Sequence, residues 1–369
     1  MGGSRWLDGL TDGNDGAGIR ETDVVRSGTS PFSVVTGAGG FIGGHLTRAL
    51  TAAGHAVRAV DIKPLDDWYQ ICDGAENIVA DLAQVEACRR AAAGVTEVYH
   101  LAADMGGMGF ISAHKADCML SVLPSTQMLL AARDAGVERF FFASSACVYA
   151  AGKQTRAAVT PLREEDAYPA MPEDGYGWEK LFTERMCHHF LDDFGLEVRV
   201  ARYHNVYGPH GTWSGGREKA PAAVCRKVAQ AVLTGGRSIE IWGDGCQTRS
   251  FMFIDDAVQG TLLICRGSFP GPVNLGSEET VTVNELVGLV EDIAGVRLER
   301  QYRLDLPMGV RGRSSDNTLI RATYGWAPSI PLQRGLERTY AWVFDQVAES
   351  VGRARVADGH RGRRRSAPA

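Results

Sequence analysis

Residues 34–50 read VVTGAGGFIGGHLTRAL, an apolar strand that passes through a glycine-rich turn into the start of a helix. The glycines follow the pattern G-x-x-G-x-x-G, which allows a tight turn and lets backbone N–H groups approach a pyrophosphate at the helix N-terminus. A glycine pattern alone is weak, but here it has the strand before it and the helix after it that the chemistry requires. The stretch therefore predicts a dinucleotide site, with contacts from Gly37, Gly40, Phe41, Ile42 and Gly43.

The two strands that follow predict how the other half of such a cofactor is held. Asp61 ends the run AVRAVD, where a carboxylate hydrogen-bonds the adenosine ribose and repels a 2′-phosphate. This position favours NAD over NADP, and Lys63 weakens the preference slightly because it adds a nearby positive charge. Asp81 and Leu82 close a third short run, ENIVADL, and are predicted to lie at the adenine end of the cofactor.

Apolar runs alternate with helical patterns along the first two hundred residues. The predicted strands are 32–36, 56–60, 97–101, 140–143 and 197–201, with helical patterns such as 46–53 and 84–93 between them. Alternation of this kind predicts an α/β fold, a Rossmann-type doubly wound parallel sheet with right-handed crossovers. After about residue 203, loops rich in Gly and Trp alternate with short elements, which predicts a smaller, discontinuous C-terminal substrate-binding lobe.

These patterns divide the chain into four predicted segments. Residues 1–30 are expected to form a disordered arm, 31–203 the NAD-binding domain, and 204–348 mainly the lobe, with a strand near 272–275 returning to the sheet. Residues 349–369 are expected to be a disordered tail, because they contain six arginines against one aspartate and end in GRRRSAPA.

Composition excludes several classes of protein. The chain has 369 residues, 44% hydrophobic and 22% charged, and no apolar stretch long enough to span a bilayer. Its eight cysteines form no C-x-x-C pair or Cys/His cluster, which argues against a disulfide framework and a metal site. Without a secretory signal near the start, we expect a cytoplasmic protein that binds neither membrane nor nucleic acid.

The run SSACVYA, residues 144–150, closes a strand with a serine, a cysteine and a tyrosine. In an extended chain residues i and i+2 point the same way, so Ser145 and Cys147 are predicted to face one cavity. Serine there is a polar strand end or a catalytic hydroxyl. The residues alone leave Cys147 open between a small buried hydrophobic residue and an acid–base group.

Tyr176 and Lys180 begin a strongly amphipathic helix that runs to Gly195. At a spacing of four residues they share one helix face, where a lysine ammonium is expected to lower the pKa of the phenol. Ser145 can then complete a path for the proton of a substrate hydroxyl. Together with the glycine turn, this set resembles the short-chain dehydrogenases, whose extended members act on nucleotide sugars.

The resemblance extends to one family, the GDP-mannose 3,5-epimerases, and covers about residues 32–345. The blocks that carry it are HLAADMGGMGFI at 100–111, SSACVY at 144–149, YHNVYGPHGTWSGGREKAPAAVCRK at 203–227, WGDGCQTRSF at 242–251 and GVRGRSSDN at 309–317. Ser214 departs from the family pattern, in which a longer lysine is expected. The resemblance implies an isomerase that binds GDP-mannose, regenerates NAD in each turnover and forms a homodimer.

The family's chemistry implies a role for each matching residue. Tyr176, Lys180 and Ser145 serve a transient oxidation at C4, and the 4-ketone makes the hydrogens on C3 and C5 removable. Cys147 and Lys219 then supply the base and acid that invert those carbons, giving a GDP-L-galactose or GDP-L-gulose product. The implied substrate contacts are Gly107, Met108, Ser145, Cys147, Asn205, Glu218, Lys219, Lys227, Gln247, Arg249 and Arg313.

Three other functions share parts of this pattern. A 4,6-dehydratase typically has Asp-Glu where this chain has Ala146-Cys147, so it would lack its general acid here. A 4-epimerase needs no further acid–base pair, which would leave Cys147 and Lys219 unexplained. A non-catalytic NAD-sensing protein commonly loses the Tyr–Lys pair, which is intact in this chain.

Overall fold

The computed structural model describes residues 32–158, 160–306 and 308–365, with side chains described as far as Gly352. Within these residues the main sheet has seven strands, numbered here along the chain. They are β1 (Phe32–Thr36), β2 (Ala56–Asp61), β3 (Glu76–Val79), β4 (Glu97–His100), β5 (Arg139–Ser145), β6 (Glu197–Tyr203) and β11 (Val273–Leu275). The five predicted strands are all present, β5 and β6 reaching two residues further than predicted.

The order of the sheet is β11-β6-β5-β4-β1-β2-β3, and every neighbouring pair is parallel. Starting from β1, the chain first adds β2 and β3 on one side and then adds β4, β5, β6 and β11 on the other. The order of the strands therefore reverses between β1 and β4. In open α/β sheets a crevice for ligands opens at such a reversal, beyond the carboxyl ends of the strands. The predicted fold class is confirmed, and β11 joins the sheet where a returning strand was expected.

Helices cover both faces of this sheet because successive strand residues point to opposite sides. Phe140 and Phe142 of β5 pack into one buried cluster, whereas Phe141 between them packs into the other. The helices up to β6 are α1 (Phe41–Ala52), α2 (Val85–Ala92), α3 (Met108–Ala113), α4 (Lys115–Met119), α5 (Val122–Asp134) and α6 (Asp174–Phe194). Helix α1 packs with the cluster of Phe141, while α2, α5 and α6 contribute to the other.

After β6 the chain alternates short strands with helices. The strands are β7 (Val206–Tyr207), β8 (Ser238–Trp242), β9 (Thr248–Ser250), β10 (Met252–Phe253), β12 (Thr280–Thr282), β13 (Glu299–Arg303) and β14 (Gly312–Arg313). The helices are α7 (Ala220–Thr234), α8 (Ile254–Arg266), α9 (Val283–Ala294), α10 (Thr318–Tyr324) and α11 (Leu332–Arg365). These strands form three small sheets, β12-β9-β14, β13-β8 and β10-β7.

The C-terminal elements share a core with the main sheet. One hydrophobic cluster contains Val35 and Phe141 from the sheet together with Val224 of α7 and Leu286 of α9. Helix α7 also packs against α9 and α11. A shared core fixes the loops before α7 and after β8 relative to the carboxyl edge of the sheet, where the ligand crevice opens.

The structure describes part of one of the two ends that are predicted to be disordered. Residues 1–30 lie outside the described part of the chain. Helix α11 continues to Arg365 and so enters the segment from 349 for which composition predicts disorder. No proline interrupts positions 332–365, and arginine and alanine are good helix formers, so local propensity permits this continuation. Among the described residues, no helix combines the length and apolar character needed to cross a bilayer.

Candidate active site

The glycine turn after β1 has the geometry that a phosphate cradle needs. Gly37 adopts a left-handed backbone with φ 73°. A Cβ at Gly43 would lie 2.2 Å from the carbonyl oxygen of Gly37, so only glycine permits this approach of helix to turn. Gly40 is the N-cap of α1, and Phe41 and Ile42 are its first residues. The helix N-terminus therefore opens onto the turn with free backbone N–H groups, as a bound diphosphate requires.

Asp61 and Asp81 both follow strands at the carboxyl edge of the sheet. Asp61 is buried, and its Oδ1 accepts a hydrogen bond of 3.0 Å from the backbone N–H of Lys63. The Lys63 ammonium reaches back and donates to the Gly39 carbonyl at 3.2 Å. Asp81 Oδ1 accepts from the backbone N–H of Ala83 at 2.9 Å, so part of its role is to shape the turn into α2. Leu82, beside it, is buried.

The glycine cradle and Asp61 together fit a dinucleotide. The cradle would be filled by a side chain at Gly43, and the buried carboxylate ends β2, the strand next to β1, at the same edge of the sheet. The cradle can therefore receive the diphosphate while the carboxylate receives a ribose of the same molecule.

Tyr176 and Lys180 occupy the first two turns of α6 and are both buried. The Lys180 ammonium lies 5.6 Å from the centroid of the Tyr176 ring and 3.5 Å from Glu179 Oε2. Burial raises the pKa of Tyr176 well above its ordinary value, and a hydrogen bond with Ser145 only partly opposes this shift. The expected net lowering of this pKa is therefore wrong, because desolvation of the phenol is the largest effect on it.

Cys147 faces the same cavity as Ser145, but not for the reason that an extended chain suggests. Strand β5 ends at Ser145, and Ala146–Val148 form a 3-10 turn. The Ser145 hydroxyl accepts a hydrogen bond of 3.2 Å from the backbone N–H of Cys147, which closes the turn. Arg313 Nη1 lies 3.7 Å from the thiol sulfur. The prediction of a shared cavity holds, whereas the predicted extended geometry is wrong.

Glycines flank Tyr176 and let its helix approach this turn. A Cβ at Gly177 would lie 2.3 Å from the carbonyl oxygen of Cys147, and one at Gly175 would lie 2.2 Å from that of Lys115. Real side chains do not tolerate such distances. Gly177 therefore removes the steric barrier between this helix and the turn of Cys147, while Gly175 allows the helix to approach Lys115 of α4.

Lys219 comes from a different element, since it is the N-cap residue of α7. Burial lowers the pKa of its ammonium below the usual range; Cys147 opposes this shift and Arg313 adds to it. An ammonium with a lowered pKa exchanges its proton more readily near neutral pH than an ordinary lysine does.

A cavity of about 290 Å³ joins these groups. Every residue predicted to contact the substrate lines it. They are Gly107, Met108, Ser145, Cys147, Asn205, Glu218, Lys219, Lys227, Gln247, Arg249 and Arg313. Of the predicted catalytic residues, Tyr176 lines the cavity as well, whereas Lys180 lies behind it.

Three polar residues of the cavity, Glu218, Lys227 and Asn205, already have partners in the protein. Glu218 pairs with Arg226 at 2.7 Å, and the Lys227 ammonium donates to the Glu240 carbonyl at 2.8 Å. Asn205 has a left-handed backbone, φ 44°, and its amide donates to the Ser250 carbonyl at 3.0 Å.

Gln247 and Arg249 differ in what they leave for a ligand. Gln247 donates to the Trp242 carbonyl, and its buried Oε1 has no partner in the described residues, so it can accept from a ligand. The Arg249 guanidinium donates to the carbonyls of Thr248, Met308 and Val310. Burial, and after it Arg313, lower the pKa of Arg249 to about 10.

Contacts between the loop before α3 and the loop before α7 close one side of the cavity. The backbone N–H of Gly107 donates to the Arg217 carbonyl at 2.9 Å, and a Cβ at Gly107 would lie 2.5 Å from the Glu218 carbonyl oxygen. The Arg217 side chain pairs with Asp104 and covers the Phe110 ring, 3.6 Å from its centroid. The lack of a side chain at Gly107 therefore allows the two loops to pack closely against each other.

Several residues in or beside the cavity could not be identified from local sequence patterns. Trp242, Tyr203 and Met308 line the cavity, and Glu173 and Gln154 bind the guanidinium of Arg313 from behind. The sequence feature that comes closest to indicating a role for Glu173 is its position three residues before Tyr176. Its partner is 140 residues away in the chain.

Comparison with known proteins gives consistent matches. The NAD dependent epimerase/dehydratase family matches residues 33–276. The chain is 48% identical over 314 residues to GDP-mannose 3,5-epimerase 1 of Oryza sativa subsp. japonica, covering 85% of this chain and 82% of that protein. Among solved structures it resembles the Thermotoga maritima UDP-glucose 4-epimerase with UDP-glucose, with a TM-score of 0.76 and 26% identity over 86% of this chain and 99% of that one. The Thermus thermophilus UDP-glucose 4-epimerase in complex with NAD gives a TM-score of 0.72 and 25% identity over 85% and 98%.

Replacing Asp61 tests the predicted cofactor preference. Asp61→Ala removes the carboxylate at the end of β2, so the affinity for NADH should fall about tenfold, the equivalent of one hydrogen bond to a charged group. NADPH should no longer be disfavoured, because the repulsion of its 2′-phosphate is lost. Fluorescence titration with both nucleotides measures the change, with the exposed Asp66→Ala as control. A variant that still prefers NADH by the wild-type ratio would contradict the assignment.

Proposed function

The chain belongs to the NAD dependent epimerase/dehydratase family and groups there with the GDP-mannose 3,5-epimerases, and we propose that it epimerises GDP-mannose at C5 and C3 with NAD as cofactor. It is an isomerase. The single observation that carries the proposal is the convergence of Cys147 and Lys219 on the cavity that also contains Ser145 and Tyr176. The first two come from different elements, the turn after β5 and the start of α7, and inversion of a carbon requires two such groups, a base and an acid.

The reaction first needs an acidic carbon. A C–H bond of an unactivated sugar does not ionise, but one next to a ketone does. NAD, when bound, supplies the reversible removal and return of a hydride at C4, which converts the C4 hydroxyl into a transient ketone and back. Tyr176 takes the C4 hydroxyl proton and later returns it, while Ser145 hydrogen-bonds the same oxygen.

The high pKa of Tyr176 has a consequence for this step. Burial disfavours the phenolate, so ionisation of Tyr176 depends on nearby positive charge. Lys180, 5.6 Å from the ring centroid, is the cation of this chain that can supply it.

Cys147 and Lys219 then move the protons at C5 and C3. In each inversion one of them removes a proton from one face of the carbon, and the other delivers a proton to the opposite face. We assign the base to Cys147 and the acid to Lys219. Arg313, 3.7 Å from the sulfur, favours the thiolate, and the lowered pKa of Lys219 favours proton delivery.

The remaining cations of the cavity suit the diphosphate of the substrate. Arg249 and the buried Arg313 both line the cavity, and guanidinium groups suit phosphate oxygens. Lys227 adds an ammonium, and the free Oε1 of Gln247 accepts from a sugar hydroxyl or from the base. A polyanionic ligand would offset charges that are costly to bury alone.

We further propose a cytoplasmic homodimer. All eight cysteines lie within the described residues and carry free thiols, which suits a reducing compartment. For the dimer, Trp178 and Phe182 of α6 are 42% and 54% exposed at a spacing of four residues, and Leu123 of α5 is 45% exposed. Exposed apolar side chains on adjoining helices favour burial against a second copy.

Two substitutions test the acid–base pair. Cys147→Ser and Lys219→Ala should each lower the rate of epimerisation at least about 100-fold, since general acid–base groups contribute that much or more. Calorimetric binding of GDP-mannose should change little for Cys147→Ser, and NMR analysis of the products measures the rate. Cys72→Ser, outside the cavity, is the matched control and should keep full activity. Wild-type activity in Cys147→Ser, or a wild-type product inverted only at C4, would point instead to a 4-epimerase.

One substitution tests the dimer. Phe182→Glu places a charge in the proposed apolar interface, so sedimentation velocity should show a monomer where the wild type gives a dimer. Val232→Glu alters an exposed side chain of α7, away from α5 and α6, and should remain dimeric. A dimer that survives Phe182→Glu would exclude this face.

A further inference from the structure

The guanidinium of Arg313 has a different partner on each of its three nitrogens. Nη1 lies 3.7 Å from the sulfur of Cys147, Nε donates to Gln154 Oε1 at 2.6 Å, and Nη2 pairs with Glu173. Arg313 is 5% exposed and Gln154 2% exposed. A buried guanidinium held at three points has one available orientation, and in that orientation it faces the thiol.

Besides its contact with Arg313, Glu173 binds the turn of Cys147 through its backbone. Its backbone N–H donates to the carbonyl of Cys147 at 3.1 Å, and it is the N-cap residue of α6, which carries Tyr176. Main chain and side chain of one residue thus connect the turn of Cys147, the catalytic helix and Arg313. Removing only the carboxylate would leave the backbone connection in place.

Gln154 is fixed in the orientation that accepts from Arg313. Its Nε2 donates to the carbonyls of Tyr149 and Ala150 at 3.3 and 3.5 Å, so its oxygen points to the guanidinium. Gln154 supports the arginine without adding charge, which leaves Glu173 as the charged anchor.

We propose that Glu173 is a positioning residue that holds Arg313 against Cys147 and thereby sets the pH at which this thiol becomes reactive. The consequence for catalysis rests on the proposed function, in which Cys147 removes a proton. The contact between the three side chains does not depend on it.

Other charged and titratable groups also face Cys147 and set its baseline. Lys219 approaches from the N-terminus of α7, Arg249 from β9 and Tyr176 from α6, and Cys118 belongs to the same buried cluster. None of them contacts Glu173 through a hydrogen bond in the described residues. They are therefore common to the variants compared below.

Two effects of Glu173 on the thiol oppose each other. Its negative charge disfavours the thiolate, whereas its hold on Arg313 favours it. Glu173→Gln removes the charge but keeps an oxygen that can accept from Nη2. Glu173→Ala removes both, and a guanidinium without its anchor can turn away from the sulfur. If positioning dominates, Glu173→Ala must raise the pH at which Cys147 reacts, whereas Glu173→Gln must not raise it.

The experiment measures alkylation of each cysteine by iodoacetamide in the full chain, from about pH 6 to pH 10, with peptide mass spectrometry. We expect the pH midpoint for Cys147 to rise by about one unit in Glu173→Ala, the size expected for an opposite charge moved away from a few ångströms. In Glu173→Gln the midpoint should stay at, or fall below, the wild-type value. Arg313→Ala should raise it at least as far as Glu173→Ala. The double variant should lie at or below Arg313→Ala alone, because without the arginine only the opposing charge of Glu173 is left to lose.

The same digest reports whether each variant is folded. Cys246 is exposed and should react equally in all proteins, whereas Cys187 and Cys265 are buried and should stay unreactive. Glu173→Ala with a wild-type or lower midpoint, Glu173→Gln with a rise equal to that of Glu173→Ala, or additive effects in the double variant would each overturn the proposal. The assay uses neither NAD nor GDP-mannose, so it stays independent of whether the epimerase assignment succeeds.

Discussion

The site depends on one steric constraint, the approach of helix α6 to the turn that follows β5. Because Gly177 has no side chain, the helix backbone can pass within contact distance of the Cys147 carbonyl. This approach brings the Tyr176 hydroxyl to Ser145 and Cys147, and it lets Glu173 at the helix start bind the turn through its backbone. The sheet fixes the position of the turn, because β5 lies between β4 and β6 with all three strands parallel. Fold and chemistry therefore meet where β5 ends.

The second constraint is electrostatic. Lys219, Arg249 and Arg313 line one cavity, with Glu173 as the carboxylate bound to Arg313. Burial lowers the pKa values of Lys219 and Arg249, so the ligand-free protein carries cations whose desolvation is only partly offset. The charge of an anionic ligand offsets this cost. The fold holds the cations in position before a sugar diphosphate binds, which favours its binding. Arg313, one of these cations, also lies 3.7 Å from the sulfur of Cys147, so the proposed substrate cations and the proposed base are in contact.

Short-range patterns predicted most of the fold and part of the site. The glycine turn, Asp61 and the Tyr176–Lys180 pair depend on strand–turn–helix geometry and on spacing within one helix, and both can be read from adjacent residues. Long-range contacts could not be read in this way. Glu173 and Gln154 reach Arg313 across 140 and 159 residues of chain, and only folding reveals that they meet. The raised pKa of Tyr176 could not be predicted because it results from burial. Burial depends on contacts with distant parts of the chain, which residue spacing within one helix does not show. The roles of Cys147 and Lys219 came from resemblance, because a lone thiol or lysine has too many uses.

The central claim is that this cavity moves protons at carbons beside a transient C4 ketone. Incubation of the protein with NAD and GDP-mannose in D₂O, followed by NMR of the recovered GDP-hexose, tests it directly. The account predicts deuterium at C5, with or without deuterium at C3, because a proton removed there exchanges with solvent before it is replaced. Absence of deuterium at both carbons, in a protein that binds both ligands and retains Tyr176, would contradict the account.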